Sequence, residues 1–132
     1  MGILSWLGFD GGCEQEPVEL DDQNFQQEVT KSDIPVVVDV WSHGCQPCAA
    51  LVPTVRRLAC KYDGEVKVAQ LNVGNGRKAA ARLGVRGTPT MLFFRNGALV
   101  ERVVGVRGQH YYEEVIEEDL LERAASSKEA TA

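Results

Sequence analysis

Lysine and arginine are absent from the first 30 residues, where Asp10, Glu14, Glu16, Glu19, Asp21, Asp22 and Glu28 carry the charge. A secretory leader needs a basic start and a longer apolar run than Ile3-Leu4-Ser5-Trp6-Leu7-Gly8-Phe9, so no signal peptide is expected. The same lack weakens attraction to an anionic membrane, and Trp6 stands where a myristoylation motif beginning Met1-Gly2 needs Ser or Thr. No hydrophobic run approaches the length of a membrane span. Over the whole chain 14 basic residues face 19 acidic ones, a formal charge of -5, which argues against a nucleic-acid groove because phosphate binding rests on Lys and Arg. Repeats and low-complexity tracts are also missing. A cytoplasmic protein, a monomer without nucleic-acid partner or membrane span, is the expectation.

What is present fits one domain: 132 residues, 44% hydrophobic and 25% charged, can build a core without disulfide staples. Residues 1–16 read as an N-terminal extension, flexible or loosely docked, ending at Gly11-Gly12 and the acidic run before Pro17. Residues 17–123 form the domain, and 124–132 a tail expected to fray. Four cysteines, Cys13, Cys45, Cys48 and Cys60, would allow two bridges. In a reducing compartment, however, a close pair such as Cys45 and Cys48 points to catalysis or metal binding instead. Cys60, on the apolar side of a helix end, is expected to be a packed free thiol. Cys13 is expected to be incidental, with a third exchanging thiol as the alternative.

Hydrophobic periodicity gives the element order βαβαβαββα, hence an α/β fold with a central mixed sheet and helices on both faces. Val18-Glu19-Leu20 alternates as a short edge strand, and Asp21 or Asp22 can cap a first helix carrying Phe25 and Val29. Val36 to Trp41 is apolar at nearly every position, as in a strand covered on both faces. From Gln46 the spacing of Leu51, Val55, Leu58 and Ala59 is helical, with Pro53 expected to bend the helix and Asp63-Gly64 to stop it. Val66 to Val73 is the next strand, Arg77 to Leu83 a short helix, and Thr90 to Phe94 a strand joined by the Asn96-Gly97 turn to Leu99–Val104. A last helix runs from about Gly108 to Glu122.

Right-handed crossovers put the turn after Val36–Trp41 at the carboxyl end of a central strand, where open α/β sheets place their chemistry. That turn carries Cys45-Gln46-Pro47-Cys48. Unpaired amides and the helix dipole stabilise a thiolate at Cys45, and Cys48, three residues on, lies within reach as a resolving thiol. Such a pair supports a cycle in which Cys45 attacks a substrate disulfide and Cys48 displaces the reduced product, leaving a Cys45–Cys48 bridge. Asp39, a carboxylate inside an apolar strand, is the candidate proton acceptor for Cys48; a solvent-facing or capping Asp is the alternative. His43 could tune the thiolate, against the plainer reading of an exposed loop histidine.

From about residue 18 to 122 the chain resembles the thioredoxin family. The likeness rests on Val38-Asp39-Val40-Trp41, Cys45-Gln46-Pro47-Cys48, Pro53, Val68-Ala69-Gln70-Leu71-Asn72, Gly84-Val85-Arg86-Gly87-Thr88-Pro89-Thr90, Arg95-Asn96-Gly97 and Val104-Gly105. The resemblance implies the thioredoxin fold and reduction of protein disulfides, without a cofactor or a metal, recharged by a thioredoxin reductase or similar dithiol donor. It further implies Cys45 as the exposed nucleophile, Cys48 as the resolving cysteine, Asp39 as the buried acid/base and Trp41 as a packing residue. Pro89 would be a cis-proline facing the cysteines, Thr88 would pair through its backbone with the substrate, and Gly44, Gln46, Pro47, Gly105 and Val106 would line the binding rim. The chain departs from the pattern at Gly44, where many members have Trp, and at Gln46, where they have Gly. Gln70 and Ala49 replace lysines that many members carry near the buried Asp and after the second cysteine.

Two readings compete with the oxidoreductase. One is a binding module of this fold that holds a partner chain with little turnover, suggested by Gly44 and residues 1–16. The other is a metal site of Cys45, Cys48, His43 and Cys13, which lacks a standard ligand spacing.

Overall fold

The computed structural model describes residues 13 and 15–123. Most of the expected loose extension and all of the expected frayed tail lie outside the described residues. The elements follow the expected order: β1 Val18–Leu20, α1 Gln26–Thr30, β2 Val36–Trp41, α2 Gln46–Lys61, β3 Lys67–Asn72, α3 Arg77–Arg82, β4 Thr90–Arg95, β5 Ala98–Val104 and α4 Gln109–Val115, which continues as a wider turn over Ile116–Leu120.

The five strands make one mixed sheet in the order β1-β3-β2-β4-β5. β1, β3 and β2 run parallel, β4 is antiparallel to β2, and β5 is antiparallel to β4. β2 is central because both of its faces are apolar, and alternation then sorts its side chains. Val36, Val38 and Val40 pack with Phe25, Val29, Leu71, Leu92 and Phe94 under α1 and α3. Val37 packs on the other face with Leu51, Val55, Leu58, Phe93, Tyr112 and Ile116 under α2 and α4. Asp39 shares the parity of Val37, so the strand aims its carboxylate at the face that α2 covers.

Local chemistry explains the ends of the elements. Asp21 Oδ1 accepts the amides of Gln23 and Asn24, both at 2.8 Å, and opens the α1 turn. That helix is shorter than its apolar spacing suggests, a single wide turn closed by Lys31 N–H donating to Gln26 O at 2.9 Å. Asp22 instead reaches the start of α3, where it accepts from Lys78 N at 3.2 Å and Ala79 N at 2.8 Å. The Gly76 N-cap of α3 has no side chain to do this, and the Ala79 amide bond holds the Asp22 carboxyl below its ordinary range. Asn96 and Gly97 both have positive φ, 54° and 79°, the backbone that a two-residue hairpin needs. A Cβ on Gly97 would come 2.5 Å from the Thr30 carbonyl oxygen, so this turn also packs on α1. Pro53 lies within α2, and the helix continues past it to Lys61.

The cysteines depart from expectation. Cys13 and Cys60, expected to be an incidental residue and a packed free thiol, are bonded to each other. Cys60 lies in the last turn of α2 on its half-buried border, not within the core, and the chain preceding β1 passes alongside it. Cys13 and Cys60 are 47 positions apart, and their meeting depends on how the segment before β1 packs on α2, which no local pattern encodes.

Candidate active site

The second disulfide joins Cys45 to Cys48 at the opposite end of α2. Cys45 is the N-cap of that helix, in extended conformation (φ -95°, ψ 104°), and its sulfur accepts the Cys48 amide at 3.2 Å. Pro47 sits in the first turn, where its missing amide costs nothing and its fixed φ suits a helix start. The nucleophile candidate therefore occupies the place where α2 presents unpaired N–H groups and the positive end of its dipole, the environment that stabilises a thiolate. Cys45 is half-buried, whereas Cys48 is only 3% exposed. The outer sulfur is open to attack and the inner one is shielded.

Asp39 lies beneath this pair at 1% exposure, which excludes the solvent-facing alternative for its side chain. Neither carboxylate oxygen has a hydrogen-bond partner among the described residues. Burial without a partner disfavours the charged form and pushes the carboxyl up from 3.8 to about 6. Gln70, its register partner on β3, is not in hydrogen-bond geometry and acts in the opposite direction by less than burial does. Asp39, Trp41, Gly44, Cys45, Cys48 and Gln70 line one cleft, so the carboxylate and both sulfurs share a small partly closed space.

Thr88 and Pro89 approach from the loop before β4. Their peptide bond is cis, and the Thr88 carbonyl oxygen lies 3.7 Å from Cys45 Sγ, the acceptor that a Cys45 thiol would face. Gly105 N–H donates to the Pro89 carbonyl at 2.8 Å, which ties the rim after β5 to the same loop. Gly105 is half-buried there at φ 87°, while Val106 remains 44% exposed beside it, a small apolar contact surface. Gln46 and Pro47 are exposed on the other side of Cys45. Gly44 has φ 75° with open space around it, so the residue standing where many thioredoxins carry Trp adopts a left-handed turn that glycine favours.

Four contacts were not foreseen. Ser42 and Thr88 share a hydroxyl hydrogen bond at 2.8 Å that fastens the cysteine loop to the cis-proline loop. His43 is exposed, yet its ring lies edge-on to Trp41 and its Nε2 is 3.0 Å from Asn72 Nδ2. Asn72 Oδ1 already accepts from Gly74 N–H at 2.7 Å, which leaves its amino group for His43. Tyr112 Oη accepts from Arg107 N–H at 2.9 Å and braces the rim from α4. Only the small polar residues beside Trp41 and Thr88 hinted at the first of these, and nothing local announced the others. Cys13, which the metal reading would recruit, is bonded to Cys60 at the far end of α2. Among the described residues no three His, Cys, Asp or Glu side chains cluster as metal ligands.

The family model for thioredoxin matches residues 16–118. The chain belongs to the thioredoxin family. It is 41% identical to Thioredoxin 2 of Chlorobaculum tepidum over 87 residues, covering 66% of this chain and 80% of that protein. It is 39% identical to Thioredoxin 1 of a Nostoc species over 87 residues, 66% of this chain and 81% of that one. A thioredoxin of Chlorobaculum thiosulfatiphilum is 37% identical over 102 residues, 77% of this chain and 94% of the relative. With its thioredoxin domain and Cys45–Cys48 pair, the chain is a thiol–disulfide oxidoreductase, and the low-turnover binding module is not favoured.

Proposed function

We propose that the chain reduces disulfides in partner proteins, with Cys45 as the attacking thiolate, Cys48 as the resolving thiol and Asp39 as the group that takes the Cys48 proton. The observation that carries this assignment is the unequal setting of the two sulfurs: Cys45 is the half-open helix N-cap and Cys48 is buried near an unpartnered carboxylate. The thiolate attacks one sulfur of the substrate disulfide, and the other leaves as a thiolate that takes a proton from solvent. Cys48 then loses its proton towards Asp39 and attacks Cys45 Sγ. The second substrate sulfur leaves as a thiolate that takes a proton from solvent, so the products are both substrate sulfurs as thiols and the Cys45–Cys48 disulfide. A carboxyl near pH 6 can both accept that proton and return it when the pair is recharged.

Thr88 offers its backbone to an extended substrate chain beside Pro89, and Trp41, Gly44, Gln46, Pro47, Gly105 and Val106 form the contact rim. Gly44 makes that rim flatter than a Trp would, which favours contact through main chain and small side chains. A thioredoxin reductase or similar dithiol donor recharges the pair, as membership of the family implies. No helix among the described residues is long and apolar enough to cross a membrane, and a monomer in the cytoplasm is the setting we assign. The domain assignment is an extension over 1–16, a catalytic domain over 17–123 and a tail over 124–132. Insulin-disulfide reduction with dithiothreitol tests the function: turnover that disappears in Cys45→Ser supports it, and turnover unchanged by that substitution rules it out.

A further inference from the structure

We propose that the Cys13–Cys60 disulfide is a second redox site, a substrate that the Cys45–Cys48 dithiol of another copy of this chain opens. The inference rests on the oxidoreductase reading above and adds a target to it.

Cys13 and Cys60 are both half-buried, not sealed in the core, and they border an open groove with Glu16, Arg56, Arg57 and Lys61. The chain around Cys13 also resembles a substrate. Residues 15–17 form neither helix nor strand, and the backbone of Gln15 and Glu16 makes no backbone hydrogen bond among the described residues. Gln15 N–H donates to Cys13 Sγ at 3.4 Å, and a stretch whose main chain is not paired with other backbone, next to a disulfide, is what a Thr88 backbone edge can receive. Besides the disulfide, this stretch is tied to α2 by the Glu16–Arg56 pair at 3.7 Å, with both side chains mostly in water.

The two couples cannot exchange within one molecule. Cys48 and Cys60 stand twelve positions apart on α2, about 18 Å along the helix axis at 1.5 Å per residue. A second molecule supplies the attacking thiolate. Its Cys45 bonds to one sulfur of the Cys13–Cys60 pair, the bond between those sulfurs breaks, and the departing thiolate takes a proton from solvent. Arg56, Arg57 and Lys61 stabilise that thiolate, opposed by Glu16, by Glu113 on Lys61 and by the negative end of α2. Cys48 of the second molecule then releases the mixed disulfide. Two electrons have passed, giving a Cys13/Cys60 dithiol and an oxidised Cys45–Cys48 pair that the dithiol donor recharges. In a reducing compartment a persistent disulfide is the exception, and a disulfide that opens and closes is the expected kind.

The test uses two full-length variants. The target carries Cys45→Ser and Cys48→Ser, the catalyst carries Cys13→Ser and Cys60→Ser, and limiting dithiothreitol recharges the catalyst. Alkylation followed by mass spectrometry counts target thiols over time, and the same catalyst is assayed on insulin. The proposal expects opening of the target at least tenfold faster with catalyst than with dithiothreitol alone. It also expects a trapped target–catalyst dimer through Cys13 or Cys60 when the catalyst further carries Cys48→Ser. Two results overturn it while leaving the oxidoreductase reading intact: insulin reduced normally with no acceleration on the target, or an oxidised target whose Cys13 and Cys60 remain alkylatable. If the catalyst fails on insulin as well, both readings fall.

Discussion

Ser42 Oγ and Thr88 Oγ1 lie 2.8 Å apart, so one hydroxyl pair bridges the loop before Cys45 and the cis-proline loop proposed to receive the substrate. The two residues are 46 positions apart, and both are half-buried. Thr88→Val keeps the shape of the side chain and removes the hydroxyl, leaving Ser42 without this partner. Loss of about 1 kcal/mol of stability is expected by urea unfolding, with a higher KM for insulin and a smaller change in kcat. Unchanged KM and unchanged stability would mean that the bond does not position the loops.

Asp39 makes stability depend on pH. Its native carboxyl keeps its proton up to about pH 6, whereas an unfolded one releases it near 3.8. Between those values the native state binds more protons, so stability falls as pH rises through the window. The contribution is intact below about pH 3.8 and lost above about 6. Asp39→Asn removes the ionisation, and at pH 8 it should stabilise the fold relative to the wild type by an amount on the order of 3 kcal/mol, a gain absent at pH 3.5. The same variant should release mixed disulfides more slowly. Urea unfolding at the two pH values checks the first outcome, and an equal effect at both would contradict it.

The Cys13–Cys60 bond closes a stretch with a sequence separation of 47 residues. Constraining the unfolded chain over that length contributes about 4 kcal/mol. Cys60→Ser, unfolded without reductant and with Cys45–Cys48 oxidised, should lose stability of that order while insulin reduction persists. A loss below about 1 kcal/mol would show that the bond is not held in solution.

Gly44 occupies a left-handed backbone position with no atom near enough to meet a Cβ. Gly44→Ala therefore costs backbone energy alone, about 1 kcal/mol, and thermal unfolding should record it. A stabilising effect would mean that the loop leaves this conformation in solution.

Much of this arrangement was legible in the sequence because it is local. The apolar run Val36–Val40 marked the central strand, the change to helical spacing at Gln46 marked the start of α2, and Asn96-Gly97 marked the hairpin. The family likeness, and not the local pattern, pointed to Pro89 opposite the cysteines. Contacts between distant segments were not legible. Asp22, one of two candidates to cap the first helix, reached α3 instead, Asn72 reached His43, and Cys13 met Cys60, because each depends on how the layers stack. Asp39 stood between these cases. Its parity with Val37 was written in the strand, but its lack of any partner emerged only when α2 covered it.

The division of labour between Cys45 and Cys48 is tested most directly by trapping. The Cys48→Ser variant is incubated with oxidised insulin, quenched by acid and mapped by mass spectrometry, in parallel with Cys45→Ser. We expect a mixed disulfide on Cys45 that accumulates in Cys48→Ser and is absent in Cys45→Ser. Substrate bonded through Cys48 in the Cys45→Ser variant, with none on Cys45 in the other, would reverse the roles and contradict the account.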